Sequence, residues 1–212
     1  MSPTTTDDAL AQVASDPDTI ERHFAAAARL AAREGRDGDA AREGLLLALP
    51  GRAVEVVAGL MRLYEHGDAA ERRAVLLALP ALDAPHRPAP IGDGALPIVR
   101  DALRTNDSRL VAAALGPYAA AHLDDHAWRQ AVLKVLFTGI PVEHVAGLAE
   151  RVDDELARMV RDYAAEREAA GRDVPPDART VLALAEARRR PATRPTEPTE
   201  EPPCASSTPT ST

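Results

Sequence analysis

His122 and His126 lie four residues apart, and two imidazoles at that spacing on one helix face can hold a zinc ion. The pair needs an unbroken helix between them, and Asp124-Asp125 reads as an N-cap that interrupts it. No cysteine stands near to complete a ligand set, so these residues predict histidines at a helix junction and no metal centre. Covalent chemistry finds no better support. The chain has no Gly-x-Ser-x-Gly elbow, and its single cysteine, Cys204, sits in a polar tail away from any histidine. Carboxylates are plentiful on helix faces expected to be solvated, and no pair is singled out for acid–base work. The residues therefore nominate no catalytic group and no cofactor.

Binding chemistry has better candidates. Of 25 basic residues, Lys134 is the sole lysine, and it falls in the most apolar segment of the chain. Two readings of it stand side by side. A desolvated ammonium could pair with a carboxylate or an anionic ligand. Alternatively, its stem covers apolar surface while the head reaches outward near a helix end. Gln130 lies one turn before it. Trp128 is either a core anchor or a ligand-facing ring, and Tyr118, after Gly116-Pro117, reads as a packed aromatic with a bonded hydroxyl. Glu166, Arg167 and Arg172 either order the turn at Gly171 through ion pairs or line a site.

Length and composition bound what these residues can serve. The 212 residues are 45% hydrophobic and 27% charged, enough for one sizeable core without disulfides or metal. A net charge of -8 and a pI near 5.3 argue against a phosphate-backbone binder, and 3% aromatics leave little for stacking on bases. The start of the chain lacks the basic and apolar regions of a signal peptide. No apolar run approaches the roughly 20 residues of a membrane helix. A cytoplasmic protein without direct membrane insertion and without nucleic-acid partners is expected.

Apolar residues recur at spacings of three and four, and period-two alternation is missing. The fold class is therefore all-α: antiparallel helical hairpins stacked as a HEAT-like or irregular α-solenoid, with a disordered C-terminal tail. Helices are expected near 19–34, 40–49, 53–66, 69–82, 95–105, 107–115, 118–123, 125–137, 141–148, 152–170 and 176–190. Asp68 and Asp153/Asp154 serve as caps, and Gly35 and Gly171 as stops. The string Leu-Leu-Ala-Leu-Pro occurs at 46–50 and again at 76–80, a spacing that suits stacked hairpins. The 125–137 segment is apolar on most faces and should lie centrally, covered on several sides. Residues 1–16 read as a flexible leader, 17–190 as a single all-helical domain, and 191–212, rich in Pro, Thr, Ser and Glu, as a disordered tail. The Pro/Gly segment 84–94 is a hinge between halves or a binding loop.

A set of short motifs in fixed order resembles the EboA-domain family. They are Arg104-Thr-Asn106, Pro117-Tyr118, Ala127-Trp128 with Gln130, Leu133-Lys134 with Phe137, and Gly147-Leu148 with Arg151. Glu155-Leu-Ala-Arg-Met159, Asp162-Tyr-Ala164, Glu166-Arg167, Ala170-Gly-Arg172 and Val174-Pro175 follow. The chain departs from the family pattern at Gly116, Ala119, Arg129 and Glu168, and lacks a second tryptophan near residue 178. The resemblance implies a helical accessory or scaffold protein of a secondary-metabolite pathway, without catalytic residues, supporting synthesis or trafficking of a small precursor. Its implied partners are pathway enzymes such as a UbiA-type prenyltransferase or a cyclase-like enzyme. The alternative is a small-molecule-binding protein or enzyme with a pocket around Lys134 and the 152–172 helix. Arg104, Asn106 and Arg151 join Lys134, Gln130, Trp128, Tyr118, Glu166, Arg167 and Arg172 as candidate binding residues.

Overall fold

The computed structural model describes residues 5–189, so the expected 191–212 tail lies outside it, as do residues 1–4 of the expected leader. Among the described residues the chain forms twelve α-helices joined by turns, with no strand. They are α1 (Thr6–Ser15), α2 (Ile20–Arg33), α3 (Gly38–Leu47), α4 (Ala53–His66), α5 (Ala69–Leu82) and α6 (Leu96–Arg104). The second half comprises α7 (Ser108–Ala114), α8 (Pro117–His122), α9 (Asp125–Thr138), α10 (Leu148–Arg151), α11 (Asp154–Ala169) and α12 (Pro176–Arg189). The protein is all-α, and no described helix is long and apolar enough to cross a membrane.

Local chemistry explains most helix starts. The carboxylates of Asp37, Asp68, Asp107, Asp124 and Asp153 each accept a backbone amide of the first turn that follows, satisfying a donor the helix itself cannot. Helices α2 and α3 form a hairpin. From there α3 lies against α5, α5 against α7, α7 against α9 and α9 against α11. Helices α4, α6 and α12 are laid on α5, α7 and α11. One contiguous core runs through this row, from Val13, Ile20 and Phe24 to Trp128, Leu156 and Val181. The two Leu-Leu-Ala-Leu-Pro strings end up differently: Pro50 follows the end of α3, whereas Pro80 sits inside α5.

Two expectations change. Most of the supposed leader is α1, because Thr5 and Asp8 form a capping box and Ala9 and Val13 are buried. The helix expected at 141–148 is a 3-10 turn, Val142–His144, followed by α10. The chain turns there through Gly147, at φ +71°, where a β-carbon would come within 3.0 Å of the Ala120 methyl. Helix α9 lies against α7 and α11 and buries Trp128, Val132, Val135 and Leu136, while Phe137 near its end is 61% exposed. Segment 84–94 runs irregularly into the 3-10 turn Gly92–Ala95, and Arg87 and Gly92 hydrogen-bond to Leu47, Asp83 and Tyr118.

Helix α1 is held by polar contacts that depend on pH. The amide of Thr6 donates to Glu34 Oε1 at 2.8 Å, and Gln12 Oε1 lies 3.0 Å from the Nε2 of buried His23. Burial, and then neighbouring Arg22, hold His23 below the ordinary imidazole value of 6.5. The Thr6 amide holds Glu34 below the carboxylate value of 4.5. Both groups bind protons more weakly when folded, so their contributions are present at neutral pH and lost on acidification, His23 first. Amide protection of Thr6–Ser15, corrected for intrinsic exchange, should therefore fall between neutral pH and about pH 5 while that of α9 persists. Equal protection of both helices at the two pH values would contradict this.

Candidate functional site

The ten sequence candidates do not meet in one place. Three of them are tertiary fasteners. Arg151, in the short α10, reaches across to the end of α8: Nη1 donates to the carbonyls of Ala120 at 2.9 Å and Ala119 at 3.3 Å. Its Nη2 donates to the Leu123 carbonyl at 2.8 Å and to Asp125 Oδ1 at 2.9 Å. The same guanidinium lies 4.8 Å from the centre of the Trp128 ring. One side chain thus satisfies the C-terminal carbonyls of one helix, meets the first turn of the next, and covers the largest buried ring.

Lys134 does the same for α6. Its Nζ donates to the carbonyls of Leu103 and Thr105, both at 2.6 Å. The half-buried ammonium thus closes a helix C-terminus that the dipole makes negative, and both of its bonds go to backbone carbonyls. Tyr118 is buried, and its hydroxyl donates to the Gly92 carbonyl at 2.6 Å and accepts the Ala95 amide at 3.0 Å. Burial pushes that hydroxyl up to about 12, the Ala95 amide opposing it, so it stays protonated and donating. Asp83 completes the anchor, accepting the Gly92 amide at 2.8 Å, with His122 Nε2 2.6 Å from its other oxygen. Tyr118→Phe would leave the buried Ala95 amide without an acceptor. A loss of about 1–3 kcal/mol is expected, read by urea denaturation, with faster exchange confined to residues 91–95. A change below about 0.5 kcal/mol would show that the hydroxyl holds nothing.

The remaining candidates scatter. Trp128 is 1% exposed and its Nε1 meets no protein acceptor. Gln130, Asn106, Glu166 and Arg172 are exposed, without a side-chain hydrogen bond among the described residues. Among the described residues the turn after α11 is ordered by a backbone contact and an aromatic stack. Arg167 Nε donates to the Asp173 carbonyl at 2.6 Å and its guanidinium covers Tyr163, while Gly171 takes φ +66°. His122 and His126 end up on separate helices, α8 and α9, and no group of three His, Cys, Asp or Glu side chains among the described residues is placed to hold a metal ion.

Of the ten, Arg104 lines a cleft, a space of about 420 Å³ between α4 and α6 beside the start of α5. Its other walls are Met61, Tyr64, Glu65, Arg72, Pro97, Ile98 and Asp101. A second cleft, about 370 Å³, opens at the start of α11 between Asp153–Glu155 and Arg188–Arg189. Sequence reasoning missed Tyr64, Arg72 and Asp101, which lie on three different helices and acquire a common role only by packing.

The family model of metabolite traffic protein EboA matches residues 21–183, from α2 into α12. The chain belongs to the EboA family. No curated protein and no solved structure matches it. The match covers the residues that build the EboA core here, Phe24 to Val181, and both the Arg151 and Lys134 fasteners. It excludes α1, which packs onto α2 and α3 from outside the matched span.

Proposed function

We propose that this EboA protein is a non-catalytic accessory of a metabolite pathway, acting in the cytoplasm, which supports the synthesis or trafficking of a small precursor by holding a pathway enzyme. A UbiA-type prenyltransferase or a cyclase-like enzyme is the partner that the family resemblance suggests. One observation carries the reading. Lys134, Arg151 and Tyr118, the polar side chains best suited to chemistry in this fold, each spend their hydrogen bonds on closing helix ends or pinning a loop. They hold surfaces in register and are not free to turn over a substrate.

Gentle purification from the native host followed by native mass spectrometry tests it. Co-purification of one pathway enzyme in fixed stoichiometry is expected. Turnover of a pathway metabolite by the isolated protein would overturn the reading, as would a protein that leaves its host without any such enzyme. A second reading, in which the protein itself carries a small molecule, is favoured by the placement of Arg104 in the cleft between α4 and α6.

A further inference from the structure

In that cleft one tyrosine holds two opposite charges apart. Arg72 lies over the Tyr64 ring, 5.4 Å from its centre, and is fixed there because Nε and Nη2 donate to the carbonyls of Gly67 and Glu65 at 3.0 and 3.1 Å. At the other end of the ring, the Tyr64 hydroxyl donates to Asp101 Oδ2 at 3.1 Å. Burial first, and then the Asp101 carboxylate, push the Tyr64 hydroxyl up to about 12, so it remains a donor throughout the physiological range. Among the described residues Asp101 takes the Tyr64 hydroxyl and Arg72 the carbonyls of Glu65 and Gly67, and no ion pair joins the two. The floor between them is apolar, built from Ile98, Pro97 and Met61.

From this we infer that the cleft binds a small zwitterionic metabolite, its carboxylate on Arg72 and Arg104 and its ammonium on Asp101 and Glu65. Three physical arguments lead there. Charges of both signs line this cleft without an ion pair between them, Arg72 and Asp101 held by hydrogen bonds and Arg104 and Glu65 exposed at its edge. Such a lining matches a ligand carrying both signs, whereas a simple anion would face two carboxylates and a simple cation two guanidinium groups. Preorganisation by Tyr64 removes part of the ordering cost of binding. The volume of about 420 Å³ lies at the small end of the range for metabolite sites. The inference deepens the metabolite-traffic reading and is independent of which enzyme the protein holds.

The test is calorimetric titration of the full chain with a length series of ω-amino carboxylates, from glycine to aminohexanoate. The matching alkyl carboxylates and alkylamines serve as half-ligands. Saturable binding that peaks at one chain length is expected, at least about tenfold tighter than either half-ligand. Arg104→Gln, at an exposed position, should fold normally and weaken that binding about tenfold or more. Tyr64→Phe, which frees Asp101, should weaken the zwitterion while leaving the alkyl carboxylate unchanged. No saturable heat for any member up to about 10 mM would overturn the proposal. So would equal affinity for a half-ligand, or undiminished binding in Arg104→Gln. Enzyme co-purification by Arg104→Gln should match the parent protein, so loss of the cleft and loss of the partner register separately.

Discussion

Arg151→Ala is expected to cost the fold about 3 kcal/mol, the larger share of it from helix-end carbonyls left without a donor. The side chain is 16% exposed and gives up bonds to Ala119, Ala120, Leu123 and Asp125 together with its stack on Trp128. Each bond to a charged donor is worth roughly 1.5–3 kcal/mol when isolated, but water re-enters on truncation and the sum is not recovered in full. For a domain of this size the expected loss lowers Tm by roughly 6–12 °C, read by calorimetry. Arg151→Lys should restore less than half, because an ammonium on a single stem cannot present two terminal amines to carbonyls on different turns. Asp125→Asn should change stability by no more than about 0.5 kcal/mol, since that carboxylate side chain is 75% exposed. An Arg151→Ala loss below about 1 kcal/mol would refute the fastener role.

Trp128→Ala is expected to be at least as severe, about 3–5 kcal/mol, because it empties the largest fully buried side chain of the core. Trp128→Phe should cost far less, roughly 1–2 kcal/mol, since Nε1 meets no protein acceptor and only volume is lost. The ring also carries Arg151 on its face, so the two substitutions should not add. A double-mutant cycle in urea is expected to give a coupling of about 0.5–2 kcal/mol. Additivity within about 0.3 kcal/mol would show that the stack contributes nothing beyond burial.

Helix starts were legible because capping is local. Asp68, Asp124 and Asp153 each stand directly before a run of apolar residues at helical spacing, and each caps the helix expected there. The break between His122 and His126 was readable for the same reason, as were the stops at Gly35 and Gly171, both at positive φ. Helix α1 was missed although its signals are equally local. Thr5 and Asp8 form the box, but Ala9, Leu10 and Val13 make so short a stripe that the polar residues around it dominate the segment. The short α10 was misplaced because the turn before it depends on Gly147 passing close to Ala120, a contact between residues far apart in the chain.

The candidate site was legible in its residue types but not in their roles. Lys134 stands out in sequence as a lone lysine on an apolar helix, and it does carry a specific interaction. That it closes the end of α6 could not be read, because Leu103 and Thr105 are about thirty residues away and carbonyls carry no side-chain signature. Arg104 was nominated by family resemblance, yet its companions Tyr64, Arg72 and Asp101 come from helices whose mutual approach no local pattern encodes. By itself the sequence determined the all-α class, most helix boundaries and the family, since periodicity, capping and motif order are properties of neighbouring residues. Only the tertiary structure decided which polar groups fasten helix ends and which charged groups meet along one cleft, because that depends on which acceptors and side chains come within reach once the helices have packed.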